Sequence, residues 1–368
     1  VEKAMRKFLY ITPILLSLLV CSCVSISQIS IDNLEPAKVS FPKDIKTVAI
    51  VNNTITDKET KVTEERGELN QLISTKSTFQ GNAKLATEAF AENVAKANFF
   101  DEVIICDSVL RERDLLPRES ELSQNEVKKL TTDLGVDMLF SVENVTIKTD
   151  QRTYFLDNIF RSTIDATVAP MIKVYLPSRT KPLFTVYPED KIYWDGYGLS
   201  PTIAERNLIT KDSLIKEASA FAGELPTKVI LPRWEKVNRF YYTSGCLELR
   251  DGGALVREGS WDEALKLWQT AHEKKSKKIK MRTAFNIALY YELQDKIEQA
   301  IEWAKKADQL IREKENKKEN IGEEKSTRLN SNDSLDYIII TRYLLTLKER
   351  MNAIQTLNLQ MERFNGNF

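Results

Sequence analysis

Apolar residues along this chain first run unbroken, then alternate, then recur every third or fourth position, and each change of period marks a different part of the molecule. Phe8 to Val20 is an almost uninterrupted apolar run, preceded by Lys3, Arg6 and Lys7 and followed by Val20-Cys21-Ser22-Cys23. The run is too short for a stable transmembrane helix. Its basic flank and small-residue exit predict a secretory signal over 1–22. Ser25 to Pro42 is polar and contains proline, so 23–44 is expected to be the anchored tether that leads the mature chain, after the signal is removed, into the first domain. Ile45 to Val51 then forms a buried strand, with Val48, Ala49, Ile50 and Val51 in a row. Thr54 to Thr78 is polar and charged, and is expected to be a long loop with some helix.

Over Asn82 to Asn98, Ala83, Ala86, Phe90, Val94 and Ala97 share one helical face. A strand is expected at Glu102 to Cys106. Ser123-Gln124-Asn125-Glu126 has the form of a capping box, Val127, Leu130 and Leu134 continue the helix, and Gly135 is placed to end it. Asp137 to Ile147 is the next strand. From Phe160 to Leu176 the period becomes two. Ile164, Ala166, Val168, Ile172 and Val174 face one way, and Arg161, Thr163, Asp165, Thr167 and Lys173 the other. Pro170 marks an edge or a bulge. A returning strand over Pro182 to Trp194 and a helix over Lys211 to Gly223 close this part near Pro232. The alternation of strands and helices predicts an α/β (α+β) domain with a mixed sheet over 45–235.

The remainder, 236–368, is helical. Trp261, Ala264, Leu265, Trp268 and Ala271 share one face. Ala284, Ile287, Ala288 and Tyr291 follow on a second helix, then Ile297, Ala300, Ile301, Ala304 and Ala307 on a third. Ala264 and Ala300 stand 36 residues apart, near the period of a helix-turn-helix repeat. Glu313 to Asn332 has almost no apolar residues and is expected to be a mobile loop at 313–332. A last helix from Leu335 to Met351 or beyond caps the stack.

Three resemblances arise from these residues. Ser22-Cys23 behind Leu19 and Val20 resembles the lipobox of bacterial lipoproteins, which implies lipid on Cys23 and a membrane-held chain. Gly252, Ala264, Trp268 and Ala271, then Ala288, Tyr291, Ala300 and Ala307, resemble tetratricopeptide repeats. Asp251 and Ala304 depart from that pattern, and the spacing is two residues long. Lys46 to Val51, Asn98-Phe99-Phe100 and Leu134-Gly135-Val136-Asp137 are similar in pattern to α/β domains of envelope lipoproteins, including the Tol system's periplasmic protein and curli-secretion lipoproteins. The whole layout resembles exported bacterial lipoproteins that join such a domain to tetratricopeptide repeats. This implies an all-α, tetratricopeptide-like second domain whose concave face carries Arg282, Asn286, Tyr290 and Arg250 toward a protein or peptide partner.

Charge changes the picture by exclusion. Lys plus Arg and Asp plus Glu both number 53, so there is no global basic field for nucleic acid. The basic run Lys274 to Arg282 reads as a solvated turn. Chemistry is equally sparse. His272 is the single histidine, and it reads as a solvated residue beside that turn; a zinc site would lack a second histidine. No Gly-rich phosphate loop is present in the sequence, and no pair of carboxylates stands out. Cys106 reads as a small core residue, and Cys106 and Cys246 as free thiols. Tyr193, Trp194 and Tyr197 cluster near Gly196 and Gly198 and can stack on sugars. The expectation is a non-enzymatic, cofactor-free and metal-free envelope lipoprotein, with the outer membrane favoured, that binds a protein partner through its repeats. The alternative is a glycan-binding or glycan-processing surface lipoprotein.

Overall fold

The computed structural model describes residues 26–55, 60–66, 72–111, 121–315 and 334–364. The expected secretory signal and Cys23 lie outside these residues, as does the predicted loop from 316 onward. The chain divides into two compact units, Pro36–Arg233 with Leu357–Phe368, and Val1–Glu35 with Trp234–Thr356. Among the described residues no helix is long and apolar enough to cross a membrane.

The first described element is β1 (Ile26–Glu35), which belongs to the second unit. The first unit runs β2 (Thr47–Asn52), β3 (Lys61–Arg66), β4 (Leu72–Gln80), α1 (Ala83–Lys96), β5 (Glu102–Val109), α2 (Gln124–Leu134), β6 (Met138–Leu156), β7 (Ile159–Tyr175), β8 (Phe184–Val186) and β9 (Asp190–Gly198), then α3 (Pro201–Arg206), α4 (Lys211–Glu224) and α5 (Thr227–Ile230). Strands β2 to β9 make one eight-stranded mixed sheet. β2 lies between β5 and β6, parallel to both. β6 runs antiparallel to β7 and β4.

Local chemistry accounts for these boundaries. The Asn82 side chain accepts the Leu85 N–H and starts α1. Ser123 and Glu126 complete the expected capping box, and Gly135 ends α2 at φ 68°. The β6–β7 hairpin turns at Asp157-Asn158, with φ of 49° and 64°, the left-handed pair that a two-residue hairpin turn requires. Pro170 falls at a local edge of the sheet. It sits between the stretch of β7 paired with β9 and the stretch paired with β8, where its missing N–H leaves no ladder bond broken. Phe90, Val94, Leu214 and Ala218 from α1 and α4 bury Val48, Ile50, Phe140 and the even positions of β7 on one side. Val127 of α2 joins Ala49, Val51, Leu139 and Tyr175 in a separate cluster.

Three sequence expectations are corrected here. The segment read as a tether contains β1. The polar stretch after Thr54 holds β3 and β4 rather than a loop with helix. The single returning strand is two, β8 and β9, separated at Tyr187-Pro188-Glu189.

The second unit pairs β1 with β10 (Arg233–Tyr242) as a two-stranded ribbon. It continues through α6 (Leu247–Arg257), α7 (Trp261–Lys274), α8 (Lys277–Leu293), α9 (Ile297–Lys314) and α10 (Leu335–Met361), the last residues of α10 grouping with the sheet unit. Glu313 and Lys314, expected in the loop, close α9. Ala264, Trp268, Ala271, Ala284, Ala288, Ala300, Ala304 and Ala307 are all fully buried. A Cβ on Gly252 would lie 2.4 Å from the Trp268 indole nitrogen, so only glycine lets α6 approach α7 there. The fold is therefore a mixed-sheet α/β domain followed by an all-helical region. Cys106 and Cys246 are free and half-buried.

Candidate functional site

The residues expected to line a concave peptide groove divide into two buried and two accessible ones. Asn286 is fully buried. Its Oδ1 accepts the Tyr242 N–H at 2.7 Å and its Nδ2 donates to the Tyr242 carbonyl at 2.8 Å. Arg282 is buried as well. Its Nη1 donates to the Ser244 carbonyl at 2.9 Å, and its guanidinium carbon stands 4.9 Å from the centre of the Tyr242 ring. The face of α8 read as a ligand groove thus holds the chain's own β10, and neither residue is open to a partner. Tyr290 remains half-exposed. It donates to Asp262 Oδ1 at 2.6 Å, a bond that holds its phenol up at about 12. Arg250 is exposed beside Asp251 at 3.1 Å.

The aromatic group on β9 is divided by the strand's period. Tyr193 and Tyr197 share one face, 66% and 47% exposed. Trp194 points to the opposite face with Gly196 and Gly198, where it packs on the core and its indole N–H donates to Glu217 at 2.8 Å. A Cβ on either glycine would meet the α3 backbone within 2.5 Å. Beside the two tyrosines, Arg161 bonds Asp195 at 2.9 Å, and Tyr197 donates to the same carboxylate at 2.8 Å.

His272 is not the solvated residue expected. Its Nδ1 lies 3.0 Å from the Lys280 carbonyl and 3.2 Å from the Thr283 hydroxyl, and its ring meets Trp303 edge-on at 5.1 Å. Burial pushes its pKa below the usual imidazole value.

Two features emerge that the sequence reading did not name. The first lies in the helical unit. Glu292 on α8 is 1% exposed and is gripped from three sides. Arg239 of β10 donates Nε to both carboxylate oxygens at 3.0 Å and Nη2 at 2.8 Å, Arg350 of α10 donates at 2.9 Å, and the Tyr343 hydroxyl donates at 2.8 Å. Burial, then the Glu292 charge, drives the Tyr343 phenol far above its ordinary range, so it stays a donor. Beside this cluster is a partly open cavity of about 570 Å³, with Ile26, Phe240, Phe285, Ile338 and Ile339 among its lining. α10 carries the signal for it. One face of that helix enters the core through Tyr337, Ile340, Leu344 and Leu347, while Leu335, Ile338, Ile339, Arg342 and Thr346 form a second stripe that lines the cavity.

The second feature is at the carboxyl end of β2 in the sheet unit. Glu143, 5% exposed, accepts from Asn53 Nδ2 at 2.8 Å and from the Tyr175 hydroxyl at 3.3 Å. Nearby Lys173 gives its ammonium to Glu121 at 3.0 Å. Burial raises the Glu143 pKa against these bonds. The carboxyl ends of parallel strands are where α/β sheets bind ligands. Among the described residues no group of three His, Cys, Asp or Glu is placed to hold a metal ion.

The architecture is a mixed-sheet α/β domain followed in sequence by a helical unit. Residues 45–242, more than half of the chain, match the profile of a domain of unknown function (DUF8603), and the chain belongs to that family. Residues 250–349 match a second domain of unknown function (DUF6340). No curated protein matches the chain.

Proposed function

We propose that this chain is a non-enzymatic lipoprotein of the bacterial envelope, held by lipid on Cys23 with the outer membrane favoured, whose helical unit binds a partner protein. One observation carries the binding reading: β10 turns Trp234, 70% exposed, and Phe240, 42% exposed, to solvent, with Phe240 at the mouth of the apolar cavity. Exposed aromatic anchors beside a pocket are the usual centre of a protein interface. The tetratricopeptide-like reading is supported by the buried alanines and by the contact of Gly252 with Trp268. That repeat face presents a ribbon to a partner in place of an empty groove.

The test is a photo-crosslinking amino acid at Trp234 or at Phe240, introduced in living cells. A single protein adduct that disappears with Phe240→Asp is the expected result. No adduct at either position, together with glycan binding lost on Tyr193→Ala, would replace the reading with the glycan one. That second reading rests on the two exposed tyrosines of β9, without Trp194.

A further inference from the structure

We infer that the cavity of the helical unit receives an acyl chain of the lipid carried on this chain's own Cys23. The inference rests on the lipoprotein reading above. Three observations carry it. The cavity, at about 570 Å³, falls within the size range of small-ligand pockets, and Phe240, Phe285, Ile338 and Ile339 give it an apolar wall. Of its polar lining, Arg239 and Tyr343 are engaged by Glu292 and the Asn238 carbonyl, and Arg342 is exposed to solvent, so the apolar wall suits an uncharged tail. The second observation is position. Ile26, which opens β1, lines the cavity, and Cys23 precedes it by three residues. A chain spans at most about 3.6 Å per residue, so three residues of backbone reach no further than roughly 11 Å from Ile26. An acyl chain attached there needs no rearrangement of β1 to enter. The third is anchorage. β1 pairs with β10, so the ribbon fixes Ile26, the first described residue after Cys23, in the cavity wall.

A sheltered acyl chain changes how the protein meets a membrane. One chain gives marginal, reversible anchoring, and stable anchoring takes more. A chain seated in the cavity is withdrawn from the bilayer, and its release completes the anchor.

The experiment uses the full chain with its leader, expressed in bacteria fed a diazirine-bearing palmitate analogue and then irradiated. The mass of the N-terminal peptide first reads the modification of Cys23. Diazirine adducts are expected on α10 between Leu335 and Thr346 or on Phe240. They should be absent from Cys23→Ser and lost in Ile339→Trp, which fills the cavity. Ile338→Trp serves as a second filling variant should the first fail to fold. An unmodified Cys23 overturns this inference and the lipoprotein reading together. A modified Cys23 whose adducts fall on membrane lipid alone overturns the inference and leaves that reading standing. Adducts on α10 that persist in Cys23→Ser mean that a free lipid fills the cavity, which also overturns it.

Discussion

Among the described residues each unit of this protein buries one glutamate, and the two are held in opposite ways. Glu292 in the helical unit is met by two guanidinium groups and a phenol. Glu143 in the sheet unit is met by an amide and a phenol, while the nearest ammonium, Lys173, is committed to Glu121. Taking a carboxylate out of water is costly unless full charges compensate it. In the helical unit the compensation joins β10, α8 and α10, so the ion cluster is a tie between three elements. In the sheet unit the direct partners are neutral and Lys173 acts only through its charge, so burial prevails and raises the Glu143 pKa. Burial alone does not say what a buried carboxylate does; its partners do.

The same substitution at the two sites separates these roles. Glu292→Gln leaves Arg239 and Arg350 buried around a neutral amide. Breaking a buried pair from one side costs about 3–5 kcal/mol, read as an early urea transition of the full chain. Asn286→Ala comes next. It strips the buried Tyr242 N–H and carbonyl of their partner, at about 1–3 kcal/mol per unsatisfied group, and should release the end of β10 to rapid amide exchange. A loss confined to a few tenths of a kcal/mol would show that the strand does not depend on the amide.

Glu143→Gln is expected to behave differently. A raised folded-state pKa means that the protonated form is the better tolerated one. Its stabilisation is fully present below the unfolded value of 4.5 and is lost as pH rises through the folded value. Glutamine keeps the neutral form at every pH, and the Tyr175 hydroxyl can turn to accept from it. The variant should melt no lower than wild type at neutral pH, with any advantage vanishing toward pH 4. A destabilisation matching that of Glu292→Gln would erase the contrast between the units.

What was legible in the sequence follows from which elements carry a period. α1, α2, β7, α6, α7 and α9 each bury one face, so their apolar residues recur regularly, whereas α8 is buried almost all round. β3 is exposed at every position, and the outer half of β6 is half-wet on both faces; a strand without a dry face has no alternation to read. β1 was missed because its partner, β10, lies some two hundred residues away in sequence. The hairpin turn did have a local signal, since Asp157-Asn158 suits two left-handed residues. At the candidate sites, the resemblance to a repeat face singles out Asn286 and Arg282, but their occupant is a distant strand that no local pattern announces. Trp194 was grouped with its tyrosines by closeness in sequence, whereas on a strand closeness by one residue means opposite faces.

The smallest effect tests whether the helical unit is also tuned by a weaker base. His272 sits between α7 and α8 with its pKa depressed by burial. A depressed imidazole pKa means that the unfolded chain takes up a proton which the folded chain refuses. Stability is therefore intact above the unfolded value of 6.5 and falls as pH drops below it. His272→Asn keeps a donor for the Lys280 carbonyl and removes the titration. The wild type should lose stability relative to this variant between pH 6.5 and about 5.5, a window above most carboxylate titration. A constant difference across that window would mean that His272 contributes packing against Trp303 and no pH dependence. His272 would then give the helical unit no response to mild acid, and Glu143 would remain as a buried group whose contribution changes with pH.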